Sequence, residues 1–511
     1  MPTQLHSGEV TRRLRSTLPH ELIFVFVCVV VLCCACDYLL PANLGLAIAS
    51  VTYGGWSAWL GIREARATEL RFNPLVTYQF WLAGTLGLSC LYVALNYSAT
   101  NQVPFAGRLV SIEQVARGHA MFVVGAFAFY LGMKQFQPRE TTVRSKVARA
   151  TSGAELLTYF VVGALIQVFF RQVTLVLGSS FVNILTGLPL AALCIFAVRP
   201  PIAVLRSTWL RWTILSLGTF TLLLLYARGD SKMMLSFSFA PIAFTLVQRK
   251  RITPLVLFGI AFVLLYFLII APVVTAMRNM ATRNQSRDEY GELSIANPAA
   301  LGDIRGKLQT NYSDAPALYI SSWVDYTMLR ICDPVPAGVI EDIVNNSGFL
   351  WGKGMTYVPI GFIPRAIWND KPATDQGRMF TAFLGMASDP QTATTSTGQT
   401  SPGELFWNFG WPGVIVGMYI VGATLSGVYW GAAGPDPTKG VLEMVAMLSV
   451  ALSFVLGMGS VAGGLFVGSI GNGIFLRTLI YIRDRWLSHK QRHFLTVRTA
   501  SAQRANLHAS R

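Results

Sequence analysis

Twelve stretches of mostly apolar residues follow one another along the chain, at 21–40, 43–61, 75–97, 118–136, 154–170, 181–198, 212–227, 233–248, 252–276, 405–430, 441–458 and 464–482. Each is long enough, or nearly so, to cross a hydrocarbon core of about 30 Å as a helix rising 1.5 Å per residue. Helices are the expected form, because an isolated strand would leave its backbone groups unpaired in lipid. The connectors are short, with one exception: between Ala276 and Leu405 the chain stays out of the apolar pattern for roughly 130 residues. The pattern therefore predicts an all-α, polytopic membrane helix bundle of about 12 transmembrane helices with one large outer loop. It divides the chain into residues 1–276 (spans one to nine with basic connectors), 277–404 (the loop), 405–482 (spans ten to twelve) and 483–511 (a basic tail). Almost no charge is expected inside the spans.

Inside the long loop the pattern changes three times. Residues 278–297 are charged. Asp314-Ala-Pro316 reads as a helix start, since proline is tolerated in the first turn. Leu318, Tyr319, Ser322, Trp323, Tyr326 and Leu329 then fall on one helical face. That stripe suits either an amphipathic helix on the membrane surface or an ordinary packed helix. Residues 357–372 are apolar but too short to span, and proline and glycine interrupt them, which suits a re-entrant or interfacial segment. Residues 391–404, rich in Thr, Ser and Gly, read as a flexible polar loop leading into the tenth span.

Charge supplies the orientation. With the N-terminus inside, the inner segments carry 25 Lys and Arg, while the short outer connectors carry 5. Under the positive-inside rule both termini are cytoplasmic and the long loop is outside. The net charge of +16 lies mainly in those inner connectors and the tail, so it marks a membrane protein beside anionic lipid and not a nucleic-acid binder. The basic residues before the first apolar run raise the question of a signal peptide, but no small-residue cleavage site follows, so an uncleaved first span is expected. Six of the seven cysteines lie in apolar runs. Cys332 alone lies in the long loop, without a partner there, so a disulfide-stapled loop is not expected. The six histidines are scattered, and no metal spacing occurs.

Two clusters carry candidate chemistry. Arg228-Gly-Asp-Ser-Lys232 joins two 16-residue runs, each about 24 Å long as a helix, so its tip is expected below the outer headgroups. Ionisable groups at that depth are costly unless paired or facing water. Arg228 pairing Asp230 while Lys232 snorkels outward is one reading; a cationic grip on a lipid-linked phosphate is the other. The second cluster is Arg365, Asp370, Lys371 and Arg378, beside Trp368. Its cations suit a pyrophosphate and its aromatic surface a sugar ring, although interfacial anchoring by Trp368 also accounts for it. There is no D-x-D pair, G-x-S-x-G, P-loop or H-E-x-x-H.

Tyr357-Val-Pro-Ile-Gly-Phe-Ile-Pro-Arg-Ala-Ile-Trp-Asn-Asp-Lys-Pro372, followed by Ser401-Pro-Gly-Glu-Leu-Phe-Trp-Asn-Phe-Gly-Trp-Pro-Gly413, resembles the Wzy-type O-antigen or oligosaccharide repeat-unit polymerases. Arg228-Gly-Asp-Ser-Lys232 is similar to the short basic outer loop of that family. The likeness in sequence is confined to these three stretches. It implies a bacterial inner-membrane glycosyltransferase with a periplasmic loop, working on undecaprenyl-pyrophosphate-linked glycans as donor and acceptor. A chain-length regulator protein is an implied partner, and no cofactor is implied. A sugar hydroxyl would attack an anomeric carbon while lipid pyrophosphate departs, so preorganised cations are the main device expected. Arg228 and Arg365 are the candidates for that role, with Asp230, Asp325, Asp370 and Glu404 as candidate proton acceptors. Lys232, Lys371, Arg378, Trp323, Trp368 and Glu404 are candidates for holding substrate. An O-antigen ligase is the nearest rival, but that family uses an outer-loop histidine and none lies between Ala276 and Leu405. A lipid-linked oligosaccharide flippase or secondary carrier would place ionisable residues mid-membrane. Arg477 and Glu443 instead lie near the inner ends of their spans.

Overall fold

The computed structural model describes residues 20–67, 74–135, 152–169, 184–201, 207–227, 316–361, 376–388, 397–432, 440–457 and 462–509, with 173, 239–242, 257, 261, 363 and 368 besides. These residues are mostly helical. Six of their helices are long and apolar enough to cross a membrane: His20–Leu39, Leu75–Asn96, Ile112–Gln135, Thr208–Leu225, Ser401–Ala432 and Ala462–Trp486. Each covers one of the expected runs. Two shorter apolar helices, Gly153–Val168 and Leu188–Val198, mark the fifth and sixth runs. The second and eleventh runs form helices, Ala42–Ala67 and Val441–Gly457, that are not among those six, and the eighth and ninth runs lie almost wholly outside the described residues.

The helices follow from the local sequence. α1 (His20–Leu39) is a continuous apolar run ended by Pro41, whose ring disfavours helical backbone at the residue before it. The Pro41 carbonyl accepts from Gly45 N at 2.8 Å and starts α2 (Ala42–Ala67). The third run is built of α3 (Pro74–Leu82), a π-helical turn (Ala83–Ser89) and α4 (Cys90–Asn96). Ser152 caps α6 (Gly153–Val168) by accepting from the Glu155 amide at 3.1 Å. α7 (Leu188–Val198) and α8 (Thr208–Ala227) follow.

Among the described residues one element departs from an all-α pattern. β1 (Gln102–Phe105) and β2 (Arg108–Ser111) pair as an antiparallel hairpin. Its two turn residues, Ala106 and Gly107, both have positive φ, as a type I′ turn requires. The alternation of this short connector is visible only over four residues a side, too few to register beside the long apolar runs.

At the centre lies α5 (Ile112–Gln135), packed against α1, α2, α10 (Pro334–Ser347) and α13 (Ser401–Ala432). Glycines on α5 allow two of these crossings. A Cβ at Gly132 would strike the carbonyl of Tyr419 on α13, and one at Gly118 the carbonyl of Pro334 on α10. Small residues that bring backbones together are the usual basis of helix association in lipid. Ser426 Oγ adds a hydrogen bond to the Met133 carbonyl at 2.7 Å across the α5–α13 seam. On the other side Phe26 packs edge-on against Phe127 and Tyr130 at centroid distances of 4.9 and 5.5 Å.

The long loop contributes helices. α9 (Pro316–Ile331) begins at the expected Pro316 and packs on α4 and the π-helical turn before it. Its Asp325 accepts hydrogen bonds from Tyr92 and Tyr97 at 3.2 and 2.7 Å. Short helices α11 (Tyr357–Gly361) and α12 (Gln376–Phe383) follow α10. The carbonyl of Leu384 accepts from Arg108 Nε at 2.9 Å, which ties the end of α12 to the hairpin. The last two helices are α14 (Val441–Gly457) and α15 (Ala462–Ala509), whose helical backbone runs on through most of the basic tail.

Candidate functional site

The flexible polar loop expected to end at Glu404 gives way to helix at Ser401. Thr400 carries the turn: its carbonyl accepts from the Glu404 amide at 2.9 Å and its hydroxyl from the Gly403 amide at 3.3 Å. With Pro402 in the first turn, this is a well-formed helix start. The helix is interrupted at Gly410 (φ 65°, ψ −156°) and resumes around Pro412. The result is a short stub, then a long apolar segment.

The stub carries Glu404 into a fully buried position. Oε1 accepts from the Tyr357 hydroxyl at 2.6 Å, and Oε2 accepts from the Gly463 amide at 3.2 Å. That amide belongs to the first turn of α15, where unpaired N–H groups and the helix dipole favour a negative charge. Burial, and next the facing carboxylate, hold the Tyr357 hydroxyl in its protonated form well beyond its ordinary range. One turn along, Asn408 donates to the Glu404 carbonyl at 2.9 Å and accepts from the Gly354 amide at 3.0 Å. The Trp407 carbonyl accepts from Leu350 N at 2.9 Å. Glu404 thus locks three segments together, α11, α13 and the start of α15. Its side chain is fully covered, and it stands in the first turn of a helix where a flexible polar loop was expected. The reason is tertiary: the loop around Tyr357 folds over the stub.

The remaining candidates are unequally placed. Arg228, Asp230, Lys232, Arg365, Asp370 and Lys371 lie outside the described residues. Arg378 sits half-buried on α12 with partners of its own. Trp368 is 38% exposed, and Trp323 lies on α9 with its side chain outside the described residues. Asp325, with two tyrosine donors, docks α9 onto α4 and is engaged there. Among the described residues no group of three or more His, Cys, Asp or Glu is arranged to hold a metal.

Charge inside the bundle is more extensive than the apolar pattern suggested. Asp37 on α1 and His119 on α5 are fully buried and meet at 2.7 Å between Oδ2 and Nδ1. Asp37 Oδ1 and His119 Nε2 make no hydrogen bond among the described residues. The ring of Tyr53 stands at 88° to the imidazole with centroids 6.4 Å apart. Farther along α5, Glu64 accepts from Tyr130 at 2.9 Å and from Lys134 at 2.8 Å. Arg483 grips Glu443 through two bonds of 2.7 and 2.6 Å, in the fork geometry that makes such pairs strong. Sequence reasoning passed over Asp37 and His119 because each lies near the end of an apolar run. The signal was available, since an ionisable residue within a span is unusual enough to be a functional candidate by itself.

No protein-family model, no curated protein and no solved structure matches this chain.

Proposed function

We propose that the chain is a polysaccharide polymerase of the Wzy type, a multi-pass enzyme of a bacterial inner membrane that joins undecaprenyl-pyrophosphate-linked repeat units on the periplasmic side. In this reading twelve spans leave both termini in the cytoplasm and residues 277–404 outside. One observation carries it: of the two stretches that resemble this family, the first residue of 357–372 meets 401–413 through Tyr357–Glu404, and Gly354, three residues ahead of the first stretch, donates to Asn408. Segments far apart in sequence that share one locked junction are suited to forming one site. The Glu404 junction would hold the segment bearing Arg365, while Arg228 and Arg365 stabilise the pyrophosphate as it leaves. An acceptor hydroxyl attacks the anomeric carbon, and a loop carboxylate, Asp230 or Asp370, takes its proton.

The test is genetic and then enzymatic. Deletion of the gene should leave single capped repeats on the cell surface, whereas loss of a ligase abolishes all attachment. Arg228→Ala and Arg365→Ala should each remove long polymer at normal membrane protein levels, with rates down about a hundred- to thousandfold, the usual cost of removing one preorganised donor. Lysine at either position should rescue partially at most, because it lacks the planar fork. Wild-type rates of purified Arg228→Ala on lipid-linked repeats would remove Arg228 from the site.

A second reading has support of its own. A buried Asp–His pair between two spans is the kind of group that carriers use to bind or relay protons, which favours a lipid-linked oligosaccharide flippase. Deletion then accumulates inward-facing lipid intermediates in place of single capped repeats.

A further inference from the structure

Cys332 lies between α9 and α10, and Cys90 opens α4. Their sulfurs are 3.6 Å apart, and both side chains are buried. The two sulfurs are in direct contact, and a bond needs their further approach to about 2.05 Å. A second feature holds the same two segments in register: Tyr92 and Tyr97, on and just beyond α4, both bind Asp325 of α9. The two thiols therefore face each other where the loop-borne helices meet the bundle, at a junction already fastened by hydrogen bonds. We propose that Cys90 and Cys332 are joined as a disulfide that fastens α9 and α10 to the bundle.

The inference rests on the outward orientation of the long loop put forward above, because disulfides form and persist in oxidising compartments outside the cytoplasm. It does not rest on glycan chemistry. In the balanced reaction, the Cys332 thiol loses its proton and its thiolate attacks a disulfide oxidant, releasing one oxidant sulfur as a thiolate. The Cys90 thiol loses its proton in turn, attacks the Cys332 sulfur of the mixed disulfide and releases the second oxidant sulfur. Two protons and two electrons leave the chain, and the oxidant becomes a dithiol. Both sulfurs are covered in the folded protein, so exchange precedes the seating of α10 on α5. Afterwards the same burial shields the bond from soluble reductants.

The experiment counts thiols. Full-length protein from membranes of cells with an intact oxidising envelope is denatured in maleimide–polyethylene glycol, with and without prior reduction. The chain has seven cysteines, so five tags before reduction and seven after are expected. Mass spectrometry should find the Cys90 and Cys332 peptides linked. The Cys332→Ser variant should take six tags with or without reduction. Seven tags on the unreduced wild-type protein overturn the proposal, and that reading does not depend on whether any variant folds. A reporter fusion at Thr395 tells two failures apart. With an outside signal, seven tags sink the disulfide alone; with an inside signal, they sink the orientation as well.

Discussion

Asp333 immediately precedes α10 with its side chain buried and its Oδ2 without a hydrogen-bond partner among the described residues. Burial pushes its carboxyl up to about 7 from an ordinary 3.8. The folded protein therefore holds this proton across a window in which the unfolded chain has released it. Stability from Asp333 is fully present below about pH 4 and is lost as pH rises towards about 7, because the unfolded state binds fewer protons there. At one unit per 1.36 kcal/mol, the loss is on the order of a few kcal/mol. Asp333→Asn should raise the unfolding midpoint of the detergent-solubilised protein at pH 7.5 and leave it nearly unchanged at pH 4. Parallel melting-against-pH curves for the two proteins would show that this carboxyl is solvated. Of the candidate site, the residue scale was legible only as residue type. Glu404 stood out in the sequence only as a carboxylate at the start of an apolar run, and its burial under Tyr357 depends on a segment 47 residues away.

At the scale of elements, the α5–α13 seam is the feature most open to test. Gly132 faces the Tyr419 carbonyl, and Gly422 on the other helix faces the Phe129 carbonyl, so neither position has room for a side chain. Gly132→Leu should cost more than the roughly 1–3 kcal/mol of ordinary overpacking, because backbone and not a flexible side chain stands in the way. Gly427→Leu, also on α13 but with open space at its Cβ, is the matched control. Size-exclusion profiles of tagged protein should show a lost or aggregated peak for the first and a normal one for the second. A normal peak for Gly132→Leu would mean that the seam is looser than this geometry. The glycines were plain in the sequence, whereas their partners were not. Nothing in a helical run tells which neighbour a small residue admits.

For the whole molecule, the question is how the bundle sits in the membrane. The 25 to 5 division of basic residues predicts both termini inside. Reporter fusions at Lys146 and Thr395 should give opposite signals, with Lys146 cytoplasmic. Matching signals would sink the topology and, with it, a periplasmic site. The same charge count leaves open what the inner charges do. Lys134 and Arg483 were both counted as ordinary inner-side charges, yet each is committed to a carboxylate on another helix. The positive-inside signal depends only on where a charge stops relative to the membrane; its partner depends on helix packing.

What the sequence determines by itself is the helical, membrane-spanning character, because hydrocarbon demands long apolar runs with every backbone group paired internally, and that demand is written residue by residue. The start of α9 at Pro316 and the end of α1 before Pro41 are likewise local, set by proline backbone geometry. Tertiary structure alone decided that Glu404 meets Tyr357, that Asp37 meets His119 and that Cys332 meets Cys90. Each pairing joins residues dozens to hundreds of positions apart. In lipid no periodicity marks which helix faces which, since apolar side chains face the lipid as readily as they face each other.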